Sequence, residues 1–195
     1  KYGLDASVSY RVMPELTLYV FGSVLESKIK DNLQGGNCSA GQAASGQYGC
    51  TVAGAPYNIL TGGKSESGSP VFTLGGRAQA NVGDFSFGAQ VKHTGKRYVN
   101  DENLPIQSAA AVGGVPTTRI LYPAFTPAYT LVDLDIRYKI AESPTGGDVA
   151  IQLNVTNLLD ELHVSGFGGS GDRYGSPFVQ IGPPRAASIS LLFGY

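Results

Sequence analysis

Apolar and polar side chains alternate with a period of two along most of this chain, the spacing that sends successive side chains to opposite faces of a strand. Over 2–12, Tyr2, Leu4, Ala6, Val8, Tyr10 and Val12 fall on one face, and Gly3, Asp5, Ser7, Ser9 and Arg11 on the other. Met13-Pro14-Glu15 turns the chain into a second run over 16–28, with Leu16, Leu18, Val20, Gly22 and Val24 together. A third, 70–81, sets Phe72, Leu74, Gly76, Ala78 and Ala80 against Thr73, Gly75, Arg77, Gln79 and Asn81. Val82-Gly83-Asp84 is a tight turn into 85–99, where Phe85, Phe87, Ala89 and Val91 oppose Ser86, Gly88, Gln90, Lys92, Thr94 and Lys96. The cleanest run is 128–141: Val132, Leu134, Ile136, Tyr138 and Ile140 alternate with Asp133, Asp135, Arg137 and Lys139. Two more follow, 148–158 and 185–195, the last carrying Ile189, Leu191, Phe193 and Tyr195 on one face. The pattern predicts seven antiparallel strands.

The connections alternate as regularly as the side chains. Those at 13–15, 82–84 and about 142–147 are short; those at about 29–69, 100–127 and 159–184 are long and carry no strand of the main pattern. All short turns then lie at one end of the sheet and all long loops at the other. Unstructured loops of this length are uncommon in compact soluble domains, whereas short turns opposite long loops mark outer-membrane barrels. Strands of about 11 residues also suit a tilted bilayer crossing. A soluble β-sandwich alternates too, but four charges at alternate positions of 128–141 favour a wet barrel interior. The fold class is therefore all-β, a transmembrane antiparallel β-barrel segment of about seven strands, taken as one unit over 1–195.

Composition agrees. Glycine supplies 27 residues, tyrosine 11 and phenylalanine 8, against one methionine and no tryptophan. Charged residues are 15%, below the roughly 25% of soluble domains, and the net charge is −1. No basic footprint for nucleic acid appears, and no apolar run of helical membrane-spanning length exists. The chain opens inside an alternating segment with no initiator methionine or signal peptide, which reads as a piece of a longer or a mature chain. Cys38 and Cys50 lie in a Gly/Ser/Ala-rich stretch; in an oxidising compartment spacing and context favour pairing over two free thiols. A zinc site is disfavoured, because no His or further Cys accompanies them.

The last third carries motifs. Asn154-Val155-Thr156-Asn157-Leu158-Leu159-Asp160-Glu161, then Gly182-Pro183-Pro184-Arg185, then the alternating end through Phe193 to Tyr195, resemble in this order the closing segment of TonB-dependent outer-membrane receptors. Upstream, Gly95-Lys96-Arg97-Tyr98-Val99-Asn100-Asp101-Glu102-Asn103 resembles another segment of the same barrels. The terminal Tyr195 stands where the family usually has Phe. The resemblance implies the last strands of a 22-stranded barrel, with plug and earlier strands outside this sequence. It also implies TonB-coupled uptake of a scarce nutrient such as a siderophore-iron complex, cobalamin or a sugar, with no cofactor. Implied partners are the rest of the barrel and its plug, the TonB complex through the plug, outer-membrane lipid and lipopolysaccharide, the barrel-assembly machinery and a small-molecule nutrient. The long loops would be extracellular and the C-terminus periplasmic. Seven strands with two open edges cannot stand alone in lipid, which satisfies no backbone N–H or C=O. A passive porin-like or structural barrel is the alternative.

Residue chemistry adds little to that. Asn157 and Asp160 suit Asx-type turns at a strand end, and a terminal aromatic suits a membrane interface. Gly166-Phe167-Gly168-Gly169-Ser170-Gly171 matches a dinucleotide-binding pattern, but no helix follows, as that chemistry requires. His93 shares the apolar parity of its strand and no serine sits beside it for a hydrolytic pair; His163 reads as a solvated loop residue. An enzyme is not indicated. The loop aromatics Tyr57, Tyr122, Phe125, Phe167 and Tyr174, with Tyr48 and Phe178, are candidate ligand contacts, with loop packing as the simpler reading for each. Lys92 and Lys96 are the candidate partners for the acidic residues of 128–141.

Overall fold

A computed structural model describes residues 1–142, 148–168, 172–174 and 178–193. Seven strands form one sheet: β1 (Tyr2–Met13), β2 (Leu16–Glu26), β3 (Phe72–Val82), β4 (Phe85–Thr94), β5 (Tyr129–Glu142), β6 (Asp148–Thr156) and β7 (Ala186–Phe193). They pair in sequence order, each antiparallel to the next. Consecutive pairing through short turns is the simplest antiparallel topology, and it leaves free outer edges on β1 and β7.

The register carries the parity of the sequence across the sheet without a slip between faces. Leu18 opposes Ala78, Ala78 opposes Ala89, and Ala89 opposes Leu134. Ile136 lies between Phe87 and Leu153, and Leu153 opposes Ile189. On the other face Asp135 lies between Gly88 and Asn154. A one-residue slip would exchange the faces entirely. Two irregularities, between Arg11 and Met13 and between Lys139 and Ala141, sit at the short-turn end, where they do not disturb the central register.

The burial pattern is inverted relative to a soluble sheet. Leu4 is 71% exposed and Ile189 76%, while Arg137 and Lys139 are half-buried between the exposed Ile136, Tyr138 and Ile140. A single layer whose apolar face is the bare one has its hydrophobic stripe turned outward. At the short-turn end that face bears stacked rings: Phe85 lies 4.6 Å from Tyr138 and 5.8 Å from Phe87.

The long connections differ from the sequence reading in being structured. Loop 1 (27–71) holds a hairpin of Leu33–Asn37 with Pro56–Ile59 and a short helix, Ala40–Ser45. Ser39 and Gln42 cap that helix reciprocally, Ser39 Oγ accepting the Gln42 amide at 3.1 Å and Gln42 Oε1 the Ser39 amide at 2.7 Å. Loop 2 (95–128) pairs Arg97–Tyr98 with Phe125–Thr126 and carries the hairpin Ile106–Val112/Val115–Tyr122. Loop 3 (157–185) pairs Val164–Gly168 with Phe178–Ile181. These hairpins are short, and alanine- or glycine-rich stretches blur their alternation. Strand ends shift for the same reason: β4 stops at Thr94, not 99, because Arg97 and Tyr98 turn away to pair with Phe125 and Thr126.

Candidate functional site

The best-packed part of the molecule is the long-loop end. The largest fully buried side chains among the described residues, Ile106, Glu102, Asn100, Thr61 and Thr126, all belong to loops 1 and 2. The turn 100–103 is the hub. Asn103 Oδ1 accepts the Ser65 amide and its Nδ2 donates to the Ser65 carbonyl, both at 2.7 Å. Asp101 Oδ1 accepts the Ser67 amide at 2.8 Å. Asn100 closes the turn internally, Nδ2 donating to the Leu104 carbonyl at 2.7 Å. Glu102, 1% exposed, reaches the other way and accepts the Arg173 amide at 3.0 Å, with the Arg173 guanidinium 3.7 Å from its second oxygen. Asp101, Glu102 and Asn103 thus tie loop 1 and loop 3 to loop 2, with Asn100 holding the turn that presents them.

Arg97 makes a second tie. Its guanidinium donates to the carbonyls of Ser165, at 2.8 Å, and Val164, and lies over the Tyr129 ring. An arginine that is 9% exposed is held there by carbonyl acceptors, the geometry a planar fork suits. The sequence marked 95–103 by resemblance but gave these side chains no role; their signal is a dense polar run placed directly after a strand.

The candidate aromatics gather in groups. Tyr48 stacks on Tyr57 at 4.5 Å between centroids and meets Tyr174 edge-on at 4.7 Å. Tyr122 and Phe167 are 5.2 Å apart. Phe125 carries Lys96 over its ring at 4.7 Å, and Phe178 is exposed. Burial, then the interaction with Asp172, pushes the Tyr48 hydroxyl above the ordinary tyrosine range. Cys38 and Cys50 form a disulfide, Cα atoms 5.8 Å apart, both nearly fully buried.

His163 corrects the sequence reading: it is 6% exposed, not solvated. Its Nδ1 lies 3.0 Å from the Glu161 carbonyl and its ring 4.4 Å from that of Tyr129. Gly182 makes the space, since a Cβ there would stand 2.0 Å from His163 Nε2. A cleft of about 230 Å³ beside it is lined by Tyr122, Tyr129, Glu161, His163 and Ile181 among others. His93 is on the apolar face, stacked with Phe72 and 2.9 Å from Thr130 Oγ1.

The motif residues interlock where β6 meets loop 3. Asn157 and Asp160 adopt left-handed backbone, φ 50° and 55°, which short polar side chains tolerate. Asn157 Oδ1 accepts the Glu161 amide at 2.9 Å and its Nδ2 donates to the Pro183 carbonyl at 3.2 Å. Asp160 Oδ1 accepts the Arg185 amide at 2.8 Å, just after Pro184. Asn157 N donates to Asp133 at 2.8 Å and Leu158 N to the Val132 carbonyl at 2.7 Å, so the turn is seated on β5. Asn154 accepts from Gln152 at 2.8 Å on the polar face, and Phe193 opposes Val149 on the apolar one. Tyr195 lies outside the described residues.

On the polar face Arg77 pairs with Asp135 at 2.7 Å. The partners expected from sequence, Lys92 and Lys96, are placed otherwise: Lys92 opposes Leu131, and Lys96 lies over Phe125. Among the described residues no group of three or more His, Cys, Asp or Glu side chains could hold a metal ion.

No protein-family model matches the chain and no curated protein matches it in sequence. Solved structures do match in fold. The ferric citrate transporter FecA superposes with a TM-score of 0.65 at 14% identity, over 99% of this chain and 24% of that one. The ferric yersiniabactin uptake receptor FyuA from Yersinia pestis gives 0.63 at 13%, over 99% and 23%. The ferric-catecholate import receptor Fiu from E. coli K12 gives 0.51 at 21%, over 97% and 20%. The chain spans less than a quarter of the length of these proteins and has the fold of part of their β-barrels.

Proposed function

We propose that this chain is the closing wall of an outer-membrane receptor of the TonB-dependent kind, which takes up a scarce small nutrient with energy delivered through a plug. The observation that carries the reading is the inside-out sheet joined to a consolidated loop cap. Its apolar face carries exposed large side chains on each of the seven strands, its polar face holds the Arg77–Asp135 ion pair, and its three long loops pack on one another at a single end. Such a wall is stable only in a closed barrel surrounded by lipid. The likeness in fold to receptors and a transporter for ferric complexes supports the same reading.

In this orientation the long loops face outward from the cell and β7 ends on the periplasmic side. The polar face lines the lumen. Aromatics and charges of the cap, Tyr57, Tyr122, Phe125, Phe167 and Tyr174 with them, border the mouth through which a ligand enters. The plug, the TonB complex, the assembly machinery and lipopolysaccharide are the partners such a receptor requires, with Asn154 to Asp160, Pro184, Arg185 and the C-terminal aromatic end serving barrel closure.

The test is uptake by cells that make the full-length protein. Labelled ferric citrate and a labelled ferric catecholate are supplied with the TonB complex present and deleted. Accumulation of either that requires both the protein and the TonB complex supports the proposal. Energy-independent passage of small solutes through the purified protein in liposomes identifies a passive pore instead.

A further inference from the structure

Tyr48 occupies a position that ordinary loop packing does not call for. Its backbone is left-handed, φ 55° and ψ 16°, a conformation sterically disfavoured for a bulky L-residue. It sits two residues before Cys50, inside the segment closed by the disulfide to Cys38. That backbone turn directs its ring out of loop 1: one face stacks on Tyr57 of the same loop, and an edge contact reaches Tyr174 of loop 3. The hydroxyl interacts with Asp172, also of loop 3. Asp172 in turn accepts the Tyr174 amide at 2.8 Å, so the carboxylate that Tyr48 holds also shapes the backbone carrying the ring that Tyr48 touches. Between them lies Arg173, whose amide donates to Glu102 and whose carbonyl accepts the Gln107 amide at 2.8 Å. Segment 172–174 is therefore gripped from loop 2 through its backbone and from loop 1 through Tyr48.

We propose that Tyr48 is a positioning residue, presented by the Cys38–Cys50 disulfide, that pins segment 172–174 of loop 3 to loop 1 so that the two loops are held together at the mouth. The functional part of this rests on reading the loop end as the ligand-receiving mouth. The pin itself is a statement about loop coupling, and its test needs no transport. The left-handed turn is the device: it lets a residue of loop 1 serve loop 3, and the disulfide constrains the chain around that turn.

Amide hydrogen exchange on the full-length protein in lipid nanodiscs decides it. Tyr48→Gly removes the ring while tolerating the left-handed turn, so it tests the side chain without adding strain. The amides of Arg173, Tyr174 and Gln107 are expected to exchange about tenfold faster or more, with the sheet amides of β3 and β4 unchanged. Tyr48→Phe gives an intermediate rate, and Asp172→Asn, which keeps an acceptor oxygen, stays near wild type. The double variant Cys38→Ser/Cys50→Ser reproduces Tyr48→Gly at 173 and 174. Unchanged exchange at Arg173 and Tyr174 in Tyr48→Gly overturns the pin. Loosening in Tyr48→Gly but not in the double serine variant overturns the disulfide's part. Failure of the uptake reading leaves both results intact, so the two proposals fail separately.

Discussion

The Arg77 guanidinium meets the Asp135 carboxylate at 2.7 Å although their strands, β3 and β5, do not pair with each other. The contact passes over the intervening β4 at Gly88, where a Cβ would stand 2.2 Å from Arg77 Nη2 and 2.3 Å from Asp135 Oδ1. Strands lie roughly 4.8 Å apart, so a pair spanning two spacings needs long side chains and a bare backbone beneath them. Gln79 completes the cluster, accepting from the same Arg77 nitrogen at 2.7 Å.

Gly88→Ala is expected to part that ion pair and leave the sheet intact, because the atoms in the way are ends of flexible side chains. The cost is about 1 kcal/mol, in the range for coupled neighbours. In an Asp135→Ala background most of it disappears. Unfolding of the full-length variants from lipid vesicles closes the cycle; an equal cost in both backgrounds would show that Gly88 serves some other contact.

Gly182 and His163 make a second such pair. Gly182→Ala places a methyl group against a buried imidazole wedged on Tyr129, and overpacking of this kind costs roughly 1–3 kcal/mol. The loss is local to loop 3, where the Gly182 amide donates to the His163 carbonyl at 2.8 Å. Exchange of that amide should quicken in Gly182→Ala and recover when His163→Ala is added. No recovery means the backbone at 182, not the ring, sets the constraint.

What was legible in the sequence follows from how each part is held. The seven strands and their facing are written in a period-two pattern over about ten residues each, long enough to survive local exceptions such as Gly22 or Gly76. Turn lengths then ordered the strands, and the pairing of Cys38 with Cys50 followed from compartment and spacing. The loop cap was not legible. Its strands are two to eight residues long, and its stability comes from contacts such as Asn103 with Ser65, or Arg97 with Ser165, between residues that no local pattern links. The burial of His163 has no local signal, because the space it fills is made by a glycine nineteen positions on. The pairing of Arg77 with Asp135 has none either, because cross-strand reasoning looks one strand away, not two.

Tyr48 also gives a titration that can be checked. Burial and the interaction with Asp172 both raise its hydroxyl, which favours the protonated form in the folded state. Its contribution is fully present below the ordinary tyrosine value of about 10 and is lost only as pH rises through the higher folded value. The tyrosinate absorbance of wild type minus Tyr48→Phe should therefore titrate above about 10. A difference midpoint at or below the ordinary value would contradict the hydroxyl's burial and its interaction with Asp172.

The facing of the sheet is open to a direct energetic test at one depth. Ile136 opposes Leu153, and Asp135 opposes Asn154, which opposes Ser188. Ile136 and Ser188 thus sit one residue apart in register but on opposite faces. If the apolar face meets hydrocarbon, an arginine at 136 has no water within reach, and near the midplane it costs roughly 2–4 kcal/mol. An arginine at 188 enters the polar face beside Asn154 and within two strands of Asp135, where its charge is hydrated and offset, and surface substitutions of this kind change stability by about 0.5 kcal/mol or less. Ile136→Arg is therefore the costlier change by several-fold in reversible unfolding of the full-length protein in lipid. The reverse order, with Ser188→Arg the damaging variant, would place lipid against the charged face and overturn the membrane reading together with the lumen assigned to Arg77 and Asp135.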